Sequence, residues 1–340
     1  MRRSSAIIVL LAILVLLVGA VGCGDKSTAG PAGDNPTPAE LLTAIVSQSA
    51  NMTSATGSFD VAITIDADTS KMSEEEKAML GSPIQVSGTF ASGNEPLGAE
   101  ANISMSLAGQ TMQVGFKTTG DKTWFALAGQ WYETPPDMQF MAGQDVQTED
   151  KSAEIMQLIT DLGVDPLTWM PDLKIAGEET IDGAATYHLT GTPDVVKIIA
   201  DAIGLMQSKE LMALIDPSGS MSGMMESGTM LPRPDELQEM QTQVAEMFKD
   251  MALDLWVDKA TSLPRKMAVT ANITPPPGED ADGLNSIGFT LTILLQNLNQ
   301  PVTVEAPASA LPFTEFEKAL QENPALLGPL SGALGGMPTF

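Results

Sequence analysis

The chain has 340 residues, with 17 basic against 43 acidic side chains, a net charge of −26 and one cysteine. Such an acidic balance repels nucleic-acid phosphates and excludes a polybasic grip on anionic lipid. One cysteine excludes an internal disulfide, so a folded domain must rest on a hydrophobic core, which 43% hydrophobic residues allow.

The N-terminus carries Arg2 and Arg3, an unbroken apolar run from Ala6 to Val18, then Gly19, Ala20 and Gly22 before Cys23. A charged start, a short apolar middle and a small-residue end make a secretory signal peptide. The run is shorter than the roughly 18–20 apolar residues of a membrane span. Ala20-Val21-Gly22-Cys23 resembles a bacterial lipobox. That resemblance implies lipidation of the Cys23 thiol and cleavage just before it. The alternative readings are an uncleaved anchor and an ordinary secreted protein. Residues 24–36 are small, polar and broken by Gly and Pro, which reads as a tether.

Thr37, Pro38 and Glu40 form a capping box with proline at the first helical position, and Leu41, Leu42, Ile45 and Val46 share a face. This predicts a helix over Pro38–Asn51. Phe59, Val61, Ile63 and Ile65 alternate with polar or small residues, as a half-buried strand does. Alternation resumes at Ile84–Phe90, Ala101–Leu107 and Met112–Phe116, and continues through Thr123–Ala128 and Gln130–Thr134. Asp68–Leu80 interrupts the series with a short acidic helical piece, Ser73–Lys77, and Pro135–Asp150 reads as a loop. A helix over Ser152–Leu162 stops at Gly163, and strands Leu173–Thr180 and Ala185–Thr190 flank the turn Asp182-Gly183. Thr192-Pro193-Asp194 starts a helix over Val195–Met206, and Leu205–Arg233, rich in Met, Ser and Gly, reads as a mobile insertion. A helix over Pro234–Met251 precedes strands Ala252–Asp258, Pro264–Thr274 and Ser286–Asn297, and Phe313–Gln321 forms a short last helix.

This order predicts an α+β fold: a large curved antiparallel sheet, a half-open β-barrel, with helices covering its concave face. The expected organisation is a signal peptide 1–22, a lipidated tether 23–36, one domain 37–322 with insertions near 68–80 and 205–233, and a disordered tail 323–340.

Four segments carry a further resemblance. They are the tether with Thr37–Leu42, Trp124–Leu127 with Gln130–Glu133, Ile181–Gly191, and Leu255–Lys259 with Leu263–Lys266. Together they resemble the LppX/LprG type of bacterial lipoprotein, with its LolA/LolB-like fold. The resemblance implies an apolar cavity that holds the acyl chains of a lipid or lipoglycan and carries them through the cell envelope. It also implies an envelope transporter as partner and a place on the extracytoplasmic face of the cell membrane. The alternative is a non-transporting envelope lipoprotein that binds a protein or senses. No segment of the resemblance is catalytic.

The chain offers little to catalysis. His188 is the only histidine, so Ser-His and Cys-His systems and His-based zinc sites lack partners, and a structural role is expected. Glu178-Glu179 and Asp280–Asp282 read as solvated turns rather than paired catalytic carboxylates. Met221, Met224 and Met225 have thioether spacing that could hold Cu(I), but methionines recur throughout the chain and a flexible apolar lid is the preferred reading. Trp124, Trp131, Tyr132, Trp169 and Trp256 are read as sheet-packing residues. The expectation is no enzyme, no cofactor, no metal, Cys23 as the lipidation site, and a ligand-binding set that the sequence leaves unknown.

Overall fold

The structure, a computed structural model, describes residues 33, 35–49, 51–71, 77, 81–94, 96–107, 109–120, 122–135, 158–215, 234–248, 250–274 and 283–322. Its elements in chain order are α1 (Pro38–Ser49), β1 (Ser54–Ala67), β2 (Ile84–Asn94), β3 (Leu97–Leu107), β4 (Gln110–Thr119), β5 (Lys122–Leu127) and β6 (Gln130–Glu133). After them come β7 (Lys174–Ile181), β8 (Ala184–Gly191), α2 (Val195–Gln207), α3 (Lys209–Ile215), α4 (Pro234–Met247), β9 (Asp250–Asp258), β10 (Pro264–Ile273), β11 (Leu284–Gln296), β12 (Leu311–Pro312) and α5 (Phe313–Glu322). The class is α+β with a large unclosed sheet, as expected. The pairs β1–β2, β1–β11, β2–β3, β3–β4, β4–β5, β5–β6, β7–β8, β8–β9 and β9–β10 are antiparallel, and β12 runs parallel to β6, which makes the sheet mixed.

The described residues fall into two compact units. The first, drawn from Met1–Met52 and Thr148–Ala281, holds the strand run β10-β9-β8-β7 and helices α1 to α4. Its core forms where α1 lays Leu41 and Ile45 on Tyr187, Leu189 and Val257. The predicted capping box starts α1: Thr37 N–H donates to Glu40 Oε2 at 2.7 Å, and Glu40 N–H donates to Thr37 Oγ1 at 3.2 Å. The bonds that Thr37 N–H and the Thr37 hydroxyl donate to Glu40 Oε2 favour the carboxylate and lower its pKa. Replacing Thr37 with Ala is expected to cost about 1 kcal/mol by thermal denaturation. No loss would mean that the cap does not hold the helix.

The Asp182-Gly183 turn of the β7–β8 hairpin has φ of 48° and 80°, the left-handed pair that a two-residue hairpin needs. The turn after β9 is organised by Asp258, which is only 5% exposed. Its Oδ1 accepts the N–H groups of Ala260 and Thr261, and its Oδ2 accepts two bonds from the Arg265 guanidinium. Burial pushes its pKa up, but the Arg265 and backbone donors outweigh burial and the carboxyl titrates below its ordinary value.

A second cluster joins Val195, Ile199 and Ile203 of α2 to Val244 of α4. Asp194 caps α2 by accepting from Lys197 N–H. Part of the expected mobile insertion is instead regular helix. α2 runs to Gln207, Ser208 Oγ accepts the Leu211 N–H, and Leu211 is buried within α3. A polar cap and one anchored leucine hold this stretch, and a Met-rich composition did not reveal them. Residues 216–233 lie outside the described set, as do most of the acidic piece at 73–77, the loop 136–150, the start of the helix before Leu162, and the tail 323–340.

The second unit, drawn from Thr53–Gln147 and Asp282–Phe340, holds the run β12-β6-β5-β4-β3-β2-β1-β11. After β11 the chain crosses the sheet as a strap. Asn299 Oδ1 accepts from Thr53 N–H, Val302 and Val304 lie against Gly93 and Gly98, and Lys117 Nζ donates to the Glu305 carbonyl. β12 then adds beside β6, and α5 packs back against β6.

Candidate functional site

The register of the second unit sorts its side chains into two unlike faces. One cross-strand row reads Leu291, Val61, Val86, Met105, Met112. The next reads Ile293, Phe59, Gly88, Ile103, Val114, Leu127, and a third reads Leu295, Gly57, Phe90, Ala101, Phe116, Phe125, Tyr132. None holds a charge. The interleaved rows face the other way and are mainly polar, for example Thr292, Asp60, Ser87, Ser104, Gln113. Strict alternation on strands in matched register therefore builds one apolar face from residues far apart in sequence. Its longest row spans six interstrand steps of about 4.8 Å, roughly 29 Å.

This face is only partly covered. Leu291 and Leu127 are buried, but Phe59, Val61, Val86, Ile103, Met105, Met112 and Val114 are half-buried. Two glycines shape it. The Phe90 ring lies over Gly57, its Cζ 2.5 Å from where a Cβ would sit, and the Phe59 ring lies over Gly88 at 2.7 Å. Each phenylalanine thus lies down on the sheet instead of standing off it. At the β5–β6 end, α5 closes the face with rings. Phe316 meets Phe125 edge-on at 4.6 Å and Tyr132 at 5.3 Å, and Phe125 stacks on Tyr132 at 5.3 Å.

Cys23 lies outside the described residues, as do Met221, Met224, Met225 and Asp280–Asp282. Glu178 and Glu179, expected in a turn, lie instead on β7, and Glu179 meets His188 of β8 in the first unit. Their ring nitrogen and carboxylate are 2.9 Å apart, so Glu179 is not simply solvated. Glu178 pairs with Lys259. Of the aromatics, Trp124 is buried on β5, and Tyr132 belongs to the ring cluster under α5. Trp131 covers Gly115 on the polar face, and Trp256 stacks on His188. Trp169 is not on a strand: it ends a 3₁₀ turn and donates its Nε1–H to Asp201 of α2 at 2.7 Å. Among the described residues no group of three or more His, Cys, Asp or Glu is placed to hold a metal ion, and no helix is long and apolar enough to cross a membrane.

Solved structures of two mycobacterial lipoproteins are similar to this chain. The lipoprotein LppX of Mycobacterium tuberculosis is 14% identical, covering 79% of this chain and 98% of its own, with a TM-score of 0.33. LprF of Mycobacterium bovis is 16% identical, covering 83% of this chain and 100% of its own, with a TM-score of 0.34. A putative outer membrane lipoprotein-sorting protein domain from Vibrio parahaemolyticus is 9% identical over 84% of this chain and 96% of its own, with a TM-score of 0.19. No protein-family model and no curated protein sequence matches. At these identities and scores the likeness adds no argument about what the chain binds. The glycine–phenylalanine pairs and the continuous rows had no signal in the sequence beyond alternation, because both depend on which strands become neighbours.

Proposed function

We propose that this chain is a membrane-anchored extracytoplasmic lipoprotein that binds the acyl chains of a lipid or lipoglycan and carries them in the cell envelope. The observation that carries this reading is the uncharged, half-covered apolar face of the second unit. Exposed apolar patches of this extent mark ligand or membrane contacts. Each methylene moved from water onto such a surface contributes about 0.8 kcal/mol, so a dozen give roughly 10 kcal/mol before ordering costs. No covalent chemistry is required. The leader with Cys23 supplies the anchor, and the tether to Pro36 leaves the folded part free to move relative to the bilayer.

Lipid extraction and mass spectrometry of the protein purified from its native envelope should yield a co-purifying acyl lipid. A Cys23→Ser variant should leave the membrane fraction for the soluble one. A lipid-free protein that takes up no fluorescent acyl probe would defeat the binding reading. Unchanged membrane attachment of the variant would defeat the anchor.

A further inference from the structure

The lone histidine sits where three strands meet. His188 on β8 lies directly across the ladder from Trp256 on β9, with ring centres 4.4 Å apart and planes 11° from parallel. Lys266 on β10 holds its ammonium 4.1 Å over the Trp256 ring. His188 Nδ1 is 2.9 Å from Glu179 Oε1 of β7, and Nε2 is 2.8 Å from Asp254 Oδ1 of β9. The second Glu179 oxygen accepts the Trp256 Nε1–H at 2.9 Å. Tyr187 and Leu189, the neighbours of His188 in sequence, belong instead to the core under α1.

We propose that His188 is a proton-operated clasp for strand β7. Ionised carboxylates only accept hydrogen bonds, so both contacts are bonds only while the imidazole carries a proton on each nitrogen. In that state the ring ties β7 to β9 across β8. Removing one proton leaves a ring lone pair facing a carboxylate oxygen, and one tie becomes a repulsion. β7 is the strand that lets go. It ends its strand run and pairs only with β8, and its ladder shifts register between Ile175 and Gly177. Glu179 is also the more exposed carboxylate, at 48% against 29% for Asp254. The charged groups around the ring are Glu179 from β7, Asp254 from β9 and, through the Trp256 indole, Lys266 from β10. The tie is present while both ring nitrogens carry protons and is lost when one of them is removed. Ile175 of β7 packs against the cluster of Leu41 and Ile45, so release of β7 loosens the seat of α1, the helix next to the tether.

The full chain can report this directly, because one histidine gives one imidazole Cε1–H resonance. Its chemical shift records protonation while hydrogen–deuterium exchange, corrected for the intrinsic pH dependence, follows residues 174–181. Protection of β7 should fall about tenfold or more across that titration, in line with a hydrogen bond to a charged group, while β9 stays protected. Glu179→Gln should abolish the step, since a carboxamide can accept from the protonated ring or donate to the neutral one. A flat β7 profile in the unmodified protein, or the same step in E179Q, overturns the clasp. The unmodified profile alone decides if the variant does not fold. None of these outcomes depends on whether the second unit binds lipid.

Discussion

Replacing Val86 with glutamate is expected to remove acyl-probe binding while the chain stays folded. Val86 lies mid-row between Val61 and Met105, on the uncharged face, and is half-buried. In the unliganded protein a carboxylate there keeps part of its hydration. An acyl chain laid over it would strip that water and leave an unpaired charge against methylenes. Such a penalty amounts to several kcal/mol, so affinity should fall by at least about 100-fold, or ~2.7 kcal/mol. Ser87→Glu is the matched control, one residue along and on the polar face, and it should bind as the unmodified protein does. The readout is titration with a fluorescent fatty acid, beside circular dichroism to show that both variants fold. Equal affinities for the two variants would remove this face from the binding reading.

Gly88→Val should be among the most damaging single changes in the second unit. A Cβ at Gly88 would meet the Asn102 carbonyl oxygen at 2.5 Å and the Phe59 ring at 2.7 Å. The ring can rotate away, but the backbone oxygen belongs to the neighbouring strand and cannot. Overpacking of this kind costs about 1–3 kcal/mol, and the fixed oxygen puts this site near 3. For a chain of 340 residues that corresponds to a fall in Tm of about 4 °C. Gly177→Ala is the comparison, because nothing lies within 4 Å of a Cβ there. Similar melting of the two variants would show that the Phe59–Gly88 contact is not what constrains the strand pair.

The parts of the fold that were legible in the sequence are those set by neighbours along the chain. Thr37 and Glu40 cap α1 as their spacing demands, and Gly163, with φ of 79°, ends the helix before it. The alternation from Phe59 to Ile65 fixed which side chains would share a face, because a one-residue slip would have put all of them on the wet side. What stayed hidden depends on register between distant strands. Gly88 pairs with Phe59 across 29 positions only because β1 and β2 align there. Likewise, Glu179 and Asp254 reach one imidazole only because β7, β8 and β9 are consecutive in the sheet. β12 was missed for the same reason, since Leu311-Pro312 becomes a strand only by lying beside Tyr132 and Glu133. Composition misled at 205–215, where methionine and serine suggested mobility and a buried Leu211 holds a helix.

The short parallel strand β12 also decides what one edge of the sheet offers to other chains. Unpaired β6 would offer its backbone donors and acceptors to any passing extended chain, including another copy. Pro312 lies beside Glu133 and has no N–H to give, so the pairing that shields β6 cannot itself seed a further strand at that residue. The fold thereby carries its own guard against edge-to-edge polymerisation at the β6 end of the sheet.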